Sequence, residues 1–220
     1  MINKNYSLDH RFTALEVMQD APVIPVITVR EVDDAISMAQ ALLKGGIRML
    51  EVTLRTPKAL EVIKAITEAV PGVVVGAGTV RSSDQALAAT HAGARFAVSP
   101  GLTVDIARAC RDLGLPLLPG VATPSEVMFA QSEGFNELKF FPAVQAGGVK
   151  MLQAFAGPFF DVKFCPTGGI SLANAKDFLG LDNVICVGGS WLVPPKAIED
   201  KDWDLITRLA KEANELKLGE

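Results

Sequence analysis

Met49-Leu50-Glu51-Val52-Thr53-Leu54-Arg55 alternates with the two-residue period of a strand, placing Leu50, Val52 and Leu54 on one face and Glu51, Thr53 and Arg55 on the other. The apolar face must pack on helices. Glu51 then points into the interior of the sheet, where a carboxylate is costly unless it is paired or functional. Short apolar, β-branched runs of this kind recur about every 20 to 25 residues, each bounded by Gly, Pro or Thr. Eight can be counted: Val23–Val29, Met49–Leu54, Val73–Thr79, Phe96–Pro100, Pro116–Val121, Leu138–Pro142, Val162–Thr167 and Val184–Gly188.

Helical patterns lie between them. Val32, Ala35, Ile36, Ala39, Leu42 and Leu43 share one face and stop at Gly45-Gly46, and Leu60, Ile63, Ile66 and Val70 do the same before Pro71. Trp203, Ile206, Leu209, Ala213 and Leu216 mark a last helix. Strand and helix alternating eight times with short connections imply right-handed parallel βαβ units, which in 220 residues close most naturally into a single α/β domain, a (β/α)8 TIM barrel spanning 1–220. An extra N-terminal helix, Asp9–Gln19, is expected to cover the barrel bottom, with residues 1–8 flexible. An open doubly wound sheet is the alternative. Its glycine fingerprint is missing, because Gly76-Ala77-Gly78-Thr79-Val80-Arg81 reads only G-x-G-x-x-R and follows the third strand rather than the first.

About half of the residues are hydrophobic, and 21 Lys plus Arg stand against 25 Asp plus Glu, a net charge of -4. No basic run interleaved with aromatics occurs, so nucleic acid is not an expected partner. Met1–Phe12 is polar and lacks the apolar core of a secretion signal, and no stretch approaches the ~20 apolar residues of a membrane span. Cys110, Cys165 and Cys186 are odd in number and lack metal-type spacing, which suits reduced, buried thiols of a cytoplasmic protein. With only His10 and His91, a catalytic zinc site is not expected. A mechanism without metal or cofactor is favoured.

The polar residues at and just inside the C-terminal strand ends carry the chemistry in such a barrel. Lys139 in Leu138-Lys139-Phe140-Phe141-Pro142 shares its inward face with Phe141. A desolvated lysine loses its proton more readily and becomes a nucleophile for carbonyl carbon. Lowering a lysine from about 10.4 to the ~7–8 useful in catalysis disfavours its charged form by roughly 4 kcal/mol. A plainer reading packs the stem of Lys139 and sends its head to water. Glu51 and Lys139, on non-adjacent strands, can meet inside one barrel, as a general acid/base with its nucleophile or simply as a neutralised pair. Lys163, the rival nucleophile, lies roughly 13 Å below the mouth, where a salt bridge or snorkelling is expected.

Glycine pairs follow the last two strands in Pro166-Thr167-Gly168-Gly169-Ile170 and Val187-Gly188-Gly189-Ser190-Trp191. Loops at these positions commonly bind phosphate through bare N–H groups, and Ser190 adds a hydroxyl donor. Tight turns that need positive φ are the competing explanation. Arg55 at the mouth suits a carboxylate, or a neighbouring surface acid, and Thr79 and Thr167 can hydrogen-bond the same substrate carboxylate. Pro100 and Pro119 shape the rim.

Glu51-Val52-Thr53-Leu54-Arg55-Thr56, Gly76-Ala77-Gly78-Thr79-Val80, Ser99-Pro100-Gly101, Lys139-Phe140-Phe141-Pro142-Ala143 and Cys165-Pro166-Thr167-Gly168-Gly169-Ile170 together resemble the 2-keto-3-deoxy-6-phosphogluconate (KDPG) aldolase family. Members commonly act also as 4-hydroxy-2-oxoglutarate (KHG) aldolases. The resemblance runs from about Val23 to Val193. It implies a class I aldolase on a (β/α)8 barrel, a homotrimer, with Lys139 as Schiff-base lysine and Glu51 as general acid/base. It further implies carboxylate contacts from Arg55, Thr79 and Thr167, pocket contacts from Pro100 and Phe141, and phosphate contacts from Gly168, Gly169, Gly189 and Ser190. Pro142-Ala143-Val144 departs from the Pro-Ala-Glu common in the family. Two other readings of the same residues are a phosphosugar isomerase or epimerase using Glu51 as base, and a non-catalytic barrel that binds phosphorylated metabolites.

Overall fold

The computed structural model describes residues 10–216. Residues 1–8, expected to be flexible, and Asp9 of the expected first helix lie outside them. Helix α1 (Ala14–Gln19) leads into β1 (Val23–Ile27), α2 (Val32–Lys44), β2 (Met49–Thr53), α3 (Ala59–Ala69), β3 (Val74–Gly78) and α4 (Ser83–His91). Then come β4 (Phe96–Val98), α5 (Val104–Leu113), the short β5 (Leu117–Leu118) and β6 (Gly120–Val121), and α6 (Pro124–Ser132). The chain closes with β7 (Glu137–Phe140), α7 (Gly148–Phe155), β8 (Lys163–Pro166), α8 (Ala175–Leu179), β9 (Val187–Gly189), α9 (Pro195–Glu199) and α10 (Trp203–Asn214).

The strands form a curled parallel sheet in two parts, one of six strands in the order β5-β4-β3-β2-β1-β9 and one of three in the order β6-β7-β8. Single parallel bridges, Phe164 to Val184 and Thr167 to Gly188, lie between the second part and the last strand region. Pro119 separates the two parts: the expected fifth strand is split there because proline has no N–H to give to a ladder. Its carbonyl still accepts from Lys139 N–H at 2.9 Å.

Other boundaries also differ from expectation, for local reasons. The first helix starts at Ala14 rather than Asp9, because Thr13 and Glu16 form a reciprocal capping box. The third strand stops at Gly78, because Thr79 turns to a φ of +60°. The last strand begins at Val187 instead of Val184.

Two apolar clusters follow the two faces of the sheet. Leu50, Val52, Leu138 and Phe140 belong to the large cluster between strands and helices, whereas Ile24, Met49, Phe96, Val98, Leu118 and Cys165 belong to a smaller inner one. Phe12 and the α1 residues Val17 and Met18 complete the inner cluster, so the first helix packs on that interior. All three cysteines are buried, and burial pushes the Cys110 thiol up to about 11.

Behind β7, Phe155 of α7 meets Phe140, Phe159 and Phe164 at centroid distances of 5.9, 5.6 and 5.8 Å. This packing holds the strand carrying Lys139 against its helix. Phe155→Ala is expected to lower the unfolding free energy by about 3–5 kcal/mol, seen as a lower denaturant midpoint at unchanged slope. A midpoint equal to that of the parent would show that this aromatic group does not anchor β7.

Candidate active site

Lys139 from β7 and Glu51 from β2 meet across the interior, Nζ to Oε1 at 3.5 Å, with side chains only 5% and 3% exposed. They come from the two different parts of the sheet. At 3.5 Å the contact is an ion pair longer than a good hydrogen bond, and Glu51 Oε1 has no hydrogen-bond partner among the described residues. A buried pair of this kind adds little net stability, yet removing one member strands the other charge at a cost of roughly 3–5 kcal/mol. On its other side, Lys139 Nζ lies 5.1 Å from the centroid of the Phe141 ring, within cation–π range.

Space for the carboxylate is made by Gly78 on the adjacent β3. A Cβ at that position would come within 2.2 Å of Glu51 Oε1. Lys163, at the start of β8, is half-buried and donates to the Asp182 carbonyl at 3.1 Å.

The mouth holds a cleft of about 610 Å³ whose wall includes Thr28, Arg55, Phe141, Thr167 and Ser190, together with Gly168, Gly169 and Gly189. Gly168 and Gly169 have φ of +103° and +75°, a left-handed region that favours glycine. Thr167 is 6% exposed, and a Cβ on Gly188 would approach its Oγ1 within 2.2 Å, so the bare Gly188 backbone leaves room for that hydroxyl.

Arg55 is exposed and its Nε donates to Thr79 Oγ1 at 3.1 Å. Thr79 is a β-branched residue held at φ +60°, a conformation that costs of order 1–3 kcal/mol and marks a position held by its surroundings. Here the strained residue steers the guanidinium.

Not every expected site residue lines this cleft. Lys139 and Glu51 are outside its wall and connect to it through Phe141. Thr79 connects through Arg55. Pro100 lines a separate cleft of about 170 Å³ with Gly101, Leu102 and Phe129, and Phe141 is common to both.

Two residues were missed in the sequence. Thr28 closes the first strand region, and its signal is the one that marked Thr79 and Thr167, a threonine at a strand's C-terminal end. Asn174 accepts from Ser171 N–H at 2.8 Å and donates to the Gly169 carbonyl at 3.0 Å, tying down the glycine loop. Val144, which departs from the family motif, packs on the same loop, because a Cβ on Gly169 would come within 2.8 Å of its Cγ2. Among the described residues no group of three His, Cys, Asp or Glu side chains is placed to hold a metal ion. None of the described helices is long and apolar enough to cross a membrane.

The sequence profile of KDPG and KHG aldolases matches residues 15–209. The chain is 53% identical to the KHG/KDPG aldolase of Escherichia coli strain K12 over 203 residues, 92% of this chain and 95% of that one. It is 43% identical to the 2-dehydro-3-deoxy-phosphogluconate aldolase of Pseudomonas aeruginosa over 211 residues, 96% of each chain. Its fold is similar to that of the KDPG aldolase of Legionella pneumophila with pyruvate captured as a covalent carbinolamine, at a TM-score of 0.91 and 47% identity, covering 93% and 100% of the two chains. A KDPG aldolase of Zymomonas mobilis with 3-phosphoglycerate is similar at a TM-score of 0.89 and 46% identity, covering 94% and 97%.

Gly78→Ala tests the interior packing. The added methyl must displace the Glu51 carboxylate from Lys139, and thermal or denaturant unfolding is expected to show a loss of about 1–3 kcal/mol. Parent-like stability would show that the carboxylate has room to spare.

Proposed function

Because the chain belongs to the KDPG and KHG aldolase family, we propose that it is a class I, metal-independent aldolase. It cleaves 2-keto-3-deoxy-6-phosphogluconate to pyruvate and glyceraldehyde 3-phosphate, and 4-hydroxy-2-oxoglutarate to pyruvate and glyoxylate. The observation that carries this reading is the buried Lys139–Glu51 contact at 3.5 Å. It sets a primary amine beside a carboxylate whose Oε1 has no hydrogen-bond partner among the described residues.

In this mechanism the Lys139 ammonium gives a proton to Glu51, and the free amine adds to the C2 ketone of the substrate. The resulting carbinolamine loses its hydroxyl as water, taking the proton back from Glu51, which leaves an iminium ion and a restored carboxylate. Glu51 takes the proton of the C4 hydroxyl, the C3–C4 bond breaks, and its electron pair moves into the iminium to give the enamine of pyruvate while C4 leaves as an aldehyde. Protonation of the enamine at C3 and addition of water at C2 release pyruvate and regenerate the amine. The positioned carboxylate supplies about 10²–10⁴ of the rate.

Arg55, with Thr79 and Thr167, grips the substrate carboxylate in this reading, and Pro100 and Phe141 shape the pocket. Gly168, Gly169, Gly189 and Ser190 receive the phosphate. The place of Gly168, Gly169 and Gly189 in the same cleft wall as Ser190 supports that assignment.

The same proposal treats the chain as one domain in which the curled sheet closes into a (β/α)8 barrel with α1 at its bottom. The Thr167–Gly188 bridge and the α1 residues in the inner cluster support it. A homotrimer and a cytoplasmic location complete the proposal. Met128 and Phe160, exposed at 63% and 80%, offer apolar surface for a subunit contact, and buried thiols suit a reducing compartment.

Borohydride reduction in the presence of pyruvate is expected to attach a stable adduct to Lys139. Mapping of that adduct to Lys163, or no adduct at all, would overturn the assignment. Lys139→Ala should abolish cleavage, whereas Glu51→Gln should still trap pyruvate and cleave about 10²–10⁴ more slowly. Chelators should leave the steady-state rate unchanged.

A further inference from the structure

Thr28 is part of the cleft wall, on the same side-chain relay as Thr53. β1 lies between β2 and β9. Ile27 is opposite Val52 and Pro25 is opposite Gly189, so Thr28 follows the strand with Thr53 on one flank and the Ser190 loop on the other. Its Oγ1 is 2.8 Å from Thr53 Oγ1. Thr53 in turn donates to the Ile27 carbonyl at 2.9 Å.

A hydroxyl has one proton and a carbonyl has none. Thr53 gives its proton to Ile27 and can only accept from Thr28, so the Thr28 proton points away from the cleft. The reverse arrangement would leave Thr53 Oγ1 and the Ile27 oxygen facing each other with no proton between them, at a residue only 1% exposed. Thr28 is itself exposed in the cleft wall, and it offers the cleft lone pairs only.

The two substrates of the proposed reaction differ where this matters. Both carry a C4 hydroxyl, the one Glu51 deprotonates. At C5 the phosphorylated substrate has a hydroxyl, a donor, whereas 4-hydroxy-2-oxoglutarate has a carboxylate, which only accepts. We infer that Thr28 is a specificity-determining residue that accepts a hydrogen bond from the C5 hydroxyl and disfavours a carboxylate there, its polarity set by the Thr53–Ile27 relay. The inference rests on the aldolase reading above and names the substrate feature that the same site selects.

Steady-state kcat/KM on both substrates, with pyruvate trapping by borohydride as a control, tests it in the full chain. Thr28→Val keeps the shape and removes the acceptor. It is expected to lower kcat/KM for the phosphorylated substrate roughly five- to tenfold, to leave that for 4-hydroxy-2-oxoglutarate no lower, and to leave trapping unchanged. Thr28→Ser, which keeps the oxygen, should restore the parent preference. Thr53→Val frees the Thr28 proton for the cleft and should raise kcat/KM for 4-hydroxy-2-oxoglutarate about fivefold while lowering that for the phosphorylated substrate.

An equal loss on both substrates in Thr28→Val, or a parent-like ratio in Thr53→Val, would overturn the role of Thr28 while leaving the aldolase reading intact. A parent protein that traps no pyruvate and cleaves neither substrate would overturn both.

Discussion

A lysine and a glutamate enclosed inside one sheet are the constraint around which this protein is arranged. Neither Lys139 nor Glu51 could be buried alone, since each charge loses its hydration and only the other offsets it. The pair therefore requires its two strands to face each other across an interior rather than lie side by side, and β2 and β7 belong to different parts of the sheet. Gly78 is bare because the carboxylate occupies the volume its Cβ would need.

The sheet meets the pair with two unlike faces. Outward, Leu50, Val52, Leu138 and Phe140 join the large core under the helices, with Phe155 behind β7. Inward, the smaller cluster of Ile24, Met49, Phe96 and Leu118, with Val17 and Met18 of α1, gives the pair apolar company. Rigid packing outside and a nearly dry interior together keep the Lys139 amine away from bulk water. Further polar groups gather at the mouth, where Arg55 is steered by the strained Thr79 and the Gly168–Gly169 loop is tied by Asn174.

Much of this was legible before any coordinates. The alternation in Met49–Arg55 placed Glu51 on the inner face, and the same alternation placed Lys139 there with Leu138 and Phe140 outward. Three features were read less well, each because a short-range effect interrupts a regular pattern. The missing N–H of Pro119 divides one strand, the capping box at Thr13 and Glu16 shortens the first helix, and the turn at Thr79 ends the third strand. Thr28 passed as part of an apolar run because a single hydroxyl in a β-branched stretch has no periodic signature.

By itself, the sequence determined the order of elements, the face each side chain takes and the family motifs. These are local properties: two-residue alternation, helical spacing and glycine placement depend only on the backbone within a few residues. Tertiary structure alone decided that Lys139 reaches Glu51, that Phe141 stands at both clefts, that Arg55 leans on Thr79, and that Thr28 meets Thr53 while Thr53 donates to the Ile27 carbonyl. Those contacts join strands through the curl and register of the sheet, and a hydroxyl's polarity depends on which acceptor the fold brings within its reach.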